Sequence, residues 1–203
     1  MLTDLPNVLT LSRIAAIPAL VALVALRAPW ADLAACALFA AAAITDYFDG
    51  LVARARRQQS DFGRMLDPIA DKLLVGATLM MLVGEGRLSH LGLYPAIVIM
   101  LREILVSGLR EYLASIRIGL PVTGLAKWKT GFQMAALATL LAGDSGATLL
   151  GLSPLPISFI GECMLWIAAI LTLVTGWDYL IAGLHHASIP PGTPSGARPA
   201  QPK

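Results

Sequence analysis

Four aspartates carry the chemistry of this chain: Asp46 and Asp49 are three residues apart, and Asp67 and Asp71 are four apart. On helices, each spacing brings its pair onto one face. Gly50 and Ala53 extend the first stripe at the helical repeat, so that face joins two acids to two small residues. Four ionised carboxylates converging in a partly dry cavity repel one another, and an unpaired buried carboxylate takes up a proton rather than stay charged. Two divalent cations would set +4 against −4. Hard oxygen donors with no His or Cys nearby point to Mg²⁺ or Mn²⁺ rather than Zn²⁺. The competing reading is a structural ion-pair network with Arg54, Arg64 and Lys72. It leaves Gly50, Ala53 and Gly63 without a purpose.

The elements that must position these groups follow from composition. A hydrophobic fraction of 57%, with only 14% charged residues and a mean hydropathy of +0.72, predicts an all-α polytopic membrane protein. Apolar stretches recur at Leu5 to Leu26, Ala31 to Ala53, Asp67 to Gly84, Leu91 to Leu113, Ala126 to Ala142 and Ile157 to Gly183, giving six transmembrane helices. Pro68 is expected in the first turn of the third, where proline is tolerated. Polar positions fall at the N-terminal ends of the first, third and fifth spans (Arg13; Asp67, Asp71 and Lys72; Lys127 and Lys129). They fall at the C-terminal ends of the second and fourth (Asp46, Asp49 and Arg54; Arg102, Glu103, Arg110 and Glu111). Alternating helices therefore bring them to one side, around a polar cavity. The Arg-rich connection between the second and third spans makes that side cytoplasmic, with both termini.

Residues 1–187 are read as one membrane domain, and residues 188–203, rich in Pro, Gly and Ser, as a disordered tail. The start lacks the basic segment of a signal peptide. A net charge of +2, with no basic run interleaved with aromatics, excludes nucleic acid as the expected partner. Cys36 and Cys163 lack metal-ligand spacing and read as small buried hydrophobes. Trp30, Trp128 and Trp177 read as interfacial anchors, and His90, His185 and His186 as surface groups. Glu162, near the outer end of the sixth span, has no functional reading from sequence.

The stretch from Asp46 through Asp49, Gly50, Ala53 and Arg54 to Gly63, Asp67 and Asp71 matches all eight specified positions of D-x2-D-G-x2-A-R-x8-G-x3-D-x3-D. In this it resembles the CDP-alcohol phosphatidyltransferase family, from Asn7 to about Thr130. The resemblance implies that Asp46, Asp49, Asp67 and Asp71 hold two metal ions and that Asp71 is also the catalytic base. It implies that Gly50, Arg54 and Ser60 hold the CDP moiety. Asn7 and Thr10 sit where the family also contacts the nucleotide; a helix N-cap is the alternative for them. An acceptor hydroxyl would attack the phosphorus bearing diacylglycerol, and CMP would leave.

Arg102 to Arg110, with Lys127 to Thr130, is similar to the phosphatidylglycerophosphate synthase branch. Arg102 and Arg110, ~12 Å apart along a helix, would flank a basic pocket shared with Lys127. Such a pocket suits an acceptor carrying its own phosphate, sn-glycerol 3-phosphate, with inositol phosphate, serine or phosphatidylglycerol as alternatives. Snorkelling of these cations to headgroups is the competing account. Ala126 departs from the glycine expected before Lys127. The family implies a homodimer in a bacterial-type plasma membrane. Two rivals fit less well. An intramembrane prenyltransferase would carry its aspartate motifs far apart, and a divalent-cation transporter would need polar positions through the full depth of the bundle.

Overall fold

The computed structural model describes residues 5–56, 61–115 and 124–187. They form six helices, with no strand among the described residues: α1 (Leu5–Ala25), α2 (Pro29–Arg56), α3 (Asp61–Gly84), α4 (Leu93–Ser115), α5 (Gly124–Leu149) and α6 (Ile157–Ala187). The order matches the six apolar stretches; α2, α3, α5 and α6 run past them, α4 is displaced by two residues, and α1 ends one residue short. Two carry windows long and apolar enough to cross a membrane, Val8–Ala25 and Ile157–Trp177. The other four have charged residues within their ends, which is the pattern of helices built around a polar site.

α3 begins six residues before the expected Asp67, so Pro68 lies inside the helix and not in its first turn. A proline there removes one rung of the hydrogen-bond ladder. The carbonyl of Pro68 itself accepts from Lys72 Nζ at 2.8 Å.

α1 packs between α2 and α3, α5 between α2 and α6, and α4 against α6. Phe39, Leu20, Leu74, Leu137, Leu140 and Leu165 are fully buried at the centre. Individual contacts fix the helix directions. Arg27 and Glu85 pair at 2.5 Å beyond the C-terminal ends of α1 and α3, so these helices run parallel. A Cβ on Gly161 would lie 2.7 Å from Leu140 Cγ, which sets α5 against the start of α6 as an antiparallel neighbour.

The end of the bundle away from Asp67 and Asp71 is tied by polar clamps. Gly143 (φ 57, ψ −177) breaks the α5 ladder, a conformation costly for any residue with a side chain. Near the break, Arg87 Nη1 donates to the Leu141 carbonyl at 3.0 Å. The same guanidinium pairs through Nη2 with buried Asp32 at 2.5 Å, and Ser145 Oγ donates to the other Asp32 oxygen at 2.6 Å. Asp144 Oδ1 accepts the backbone N–H of Ser158 at 3.0 Å, satisfying one of the free donors at the start of α6. Glu162 accepts from the N–H and the hydroxyl of Ser89 at 2.5 and 2.7 Å, pinning the α3–α4 connection to α6. This is the role that its sequence position did not reveal.

Candidate active site

The motif residues divide between α2 and α3. Asp46, Asp49, Gly50 and Arg54 lie on the C-terminal part of α2; their side chains, like that of Asn7 on α1, lie outside the described residues. Ser60 and the tail from 188 also fall outside them. Asp67 and Asp71 stand one turn apart on α3, both half-buried. Thr10 of α1 is buried at 3% exposure, and its hydroxyl donates to Asp67 Oδ1. Arg13, one turn further along α1, is also buried. The α1 stripe that is apolar at Leu20 and Val24 is thus polar at the level of the aspartates.

A second cluster forms where α4, α5 and α6 meet. Arg102 reaches α6, where Nη2 donates to Thr175 Oγ1 at 3.0 Å. Its stem lies against Gly176, where a Cβ would stand 3.0 Å from Nε. Arg102 Nη1 lies 3.5 Å from Glu103 Oε1, and Lys129 Nζ pairs with that same oxygen. Arg110 and Lys127 are exposed. Of the three cations assigned to the acceptor from sequence, Arg102 alone enters the cluster, joined there by Lys129.

Lys127 and Lys129 flank Trp128, which is 68% exposed. Two residues apart on a helix, the lysines point about 200° apart, so only one faces inward. The identity of that one depends on the rotation of α5, set by packing against α2 and α6. Glu103 was legible only as a charge near the end of a span. Its burial beside Arg102 and Lys129 marks it as their shared counter-ion.

Among the described residues no group of three potential metal ligands comes together; two of the four aspartates have side chains outside that set. The donor chemistry fits a hard divalent cation: aspartate oxygens only, with Asp67 and Asp71 spaced to share one face of α3.

The CDP-alcohol phosphatidyltransferase family profile matches residues 3–174. A protein of Rickettsia bellii named CDP-diacylglycerol–glycerol-3-phosphate 3-phosphatidyltransferase is 45% identical over 179 residues, covering 88% of this chain and 94% of its own length. A protein of Cereibacter sphaeroides with the same name is 40% identical over 206 aligned residues, covering 87% of this chain and 93% of its own. A rice protein named cardiolipin synthase (CMP-forming) is 44% identical over 152 residues, 70% of this chain and 46% of its own. With the profile spanning both site-bearing helices and most of the bundle, the chain belongs to the CDP-alcohol phosphatidyltransferase family.

Proposed function

We propose that the chain transfers the phosphatidyl group of CDP-diacylglycerol to sn-glycerol 3-phosphate, giving phosphatidylglycerophosphate and CMP. The observation that carries this reading is the eight-position aspartate pattern across α2 and α3, in a chain 40% to 45% identical over most of its length to proteins bearing that activity's name.

All six helices span the membrane in this reading, with the active site and both termini on the cytoplasmic side and the arginines of the α2–α3 connection holding that orientation. Asp46, Asp49, Asp67 and Asp71 are the metal ligands. Two Mg²⁺ or Mn²⁺ ions bound there would neutralise the diphosphate and acidify the acceptor hydroxyl. Gly50 lets the nucleotide approach the α2 backbone, Arg54 offers a planar cation to its phosphate, and Asn7 and Ser60 complete the CDP contacts. Asp71 takes the proton of the attacking hydroxyl. A bond forms between that oxygen and the phosphorus bearing diacylglycerol, the bond to CMP breaks, and CMP leaves with its electron pair.

Arg102 and Lys129, held by Glu103 where α4, α5 and α6 meet, bind the acceptor's phosphate, with exposed Arg110 and Lys127 drawing the anion toward the mouth. The protein works as a homodimer in a bacterial-type plasma membrane. The rice relative supports a second reading in which phosphatidylglycerol is the acceptor. CMP release from CDP-diacylglycerol, measured with glycerol 3-phosphate, inositol phosphate, serine or phosphatidylglycerol, decides between them. Release with glycerol 3-phosphate alone supports the first reading. Release with serine instead overturns the assignment of Arg102 and Lys129 to an acceptor phosphate, and release with inositol phosphate or phosphatidylglycerol overturns glycerol 3-phosphate as the acceptor.

A further inference from the structure

Thr10 lies on α1, outside the motif that supplies the aspartates, yet its hydroxyl is given to Asp67 Oδ1 on α3. At 3% exposure the side chain has little surface left to offer a nucleotide. The contact is not an accident of a helix end. Thr10 and Asp67 are 57 residues apart in sequence, and the Arg27–Glu85 pair beyond the other ends of the same helices is 58 apart. The helices therefore keep one parallel register along their whole shared length, and that register sets Thr10 beside Asp67.

We propose that Thr10 is a positioning residue for the metal site: by holding one oxygen of Asp67, its hydroxyl turns the other toward the cation. The inference rests on the reading of Asp67 as a metal ligand. An unsupported carboxylate on a helix samples several orientations, and a donor that fixes one of its oxygens removes that freedom before the cation arrives. Outer hydrogen-bond partners of this kind typically change metal affinity or activity by about 10- to 100-fold. Threonine suits the task because its branched side chain is stiff about the first torsion, so the hydroxyl is aimed as well as present. Arg13, buried one turn along on the same stripe, adds a positive charge to the α1 side of the carboxylates.

The test is Mn²⁺ binding to detergent-purified protein, followed by electron paramagnetic resonance without substrate, for wild type, Thr10→Val, Thr10→Ser and Asp67→Asn. The account expects T10V, which keeps the shape and removes the donor, to bind Mn²⁺ at least about tenfold more weakly. T10S should stay within about threefold of wild type, since the donor remains. D67N should lose the high-affinity signal. Wild-type Mn²⁺ affinity in T10V, with loss in D67N, overturns the role of Thr10 while leaving the metal site standing. Wild-type affinity in D67N overturns the metal reading and this inference with it. A raised KM for CDP-diacylglycerol in T10V at unchanged Mn²⁺ affinity makes Thr10 a nucleotide contact and likewise overturns the proposal. If T10V does not fold, Thr10→Ala carries the same expectation, and a T10S protein weakened tenfold also contradicts it.

Discussion

Glu103 serves two cations, whereas Lys129 has Glu103 as its hydrogen-bonded partner, so removing one side chain should not cost what removing the other does. Side-chain exposures are 18% for Glu103, 9% for Lys129 and 11% for Arg102. At the 3.5 Å between Arg102 and Glu103, the attraction at an effective dielectric constant of about 20 is roughly 5 kcal/mol before desolvation is counted. The Lys129 pair is closer and of similar gross size. Replacing Glu103 by Met leaves two poorly solvated cations facing each other, and breaking a buried pair from one side typically costs about 3 to 5 kcal/mol. Replacing Lys129 by Met leaves Glu103 still paired with Arg102, for a cost of about 1 kcal/mol.

In thermal unfolding of detergent-solubilised protein, E103M should lower Tm by about 6 to 20 °C and K129M by about 2 to 4 °C. The double variant E103M/K129M buries one unpaired cation fewer than E103M. It should be less destabilised than the sum of the two single variants by at least about 1 kcal/mol. If the two effects simply add, or if K129M costs as much as E103M, Glu103 is not the counter-ion holding this cluster.

Other parts of the structure make equally specific claims. Gly176→Ala sets a Cβ 3.0 Å from Arg102 Nε; displacing the guanidinium should raise KM for glycerol 3-phosphate about fivefold, or ~1 kcal/mol, with KM for CDP-diacylglycerol unchanged in the same steady-state assay. Arg87→Ala leaves Asp32 buried with Ser145 as its remaining clamp partner and should cost about 3 kcal/mol in thermal unfolding, while turnover at saturating substrate by the folded fraction stays near wild type. The N–H of Ser158 holds the Asp144 carboxyl below its ordinary pKa. A depressed folded-state pKa stabilises the fold above the unfolded value, near ~4, and that contribution is lost as pH falls through the folded pKa. The Tm advantage of wild type over Asp144→Asn should therefore shrink on acidification below about pH 4, and because Asp144 is largely exposed it should be small throughout.

The placing of Asp67 and Asp71 one turn apart on α3 was legible because helical spacing alone puts i, i+4 residues on one face. The six elements were legible because apolar runs separated by breakers leave few other arrangements. What stayed hidden depends on helix rotation and on contacts between distant segments. No spacing rule distinguishes Lys129 from Lys127, since the packing of α5 decides which faces inward. Glu162 looked isolated because its partner, Ser89, lies in a connection far away in sequence. Pro68 was expected at a helix start because the apolar run begins there; the helix itself extends back through a polar turn to Asp61, which hydropathy cannot register. Thr10 was assigned toward the nucleotide by resemblance, and only the parallel register of α1 and α3 shows its hydroxyl on Asp67.

The central claim, that metal-binding aspartates of α2 and α3 drive the release of CMP, is tested most directly by following CMP formation from CDP-diacylglycerol and glycerol 3-phosphate as Mg²⁺ is titrated into wild type and Asp67→Asn. The account predicts a saturable rise for wild type, no release in EDTA and no release from folded D67N at any Mg²⁺ concentration. CMP formation at the wild-type rate in EDTA, or by D67N, would contradict it.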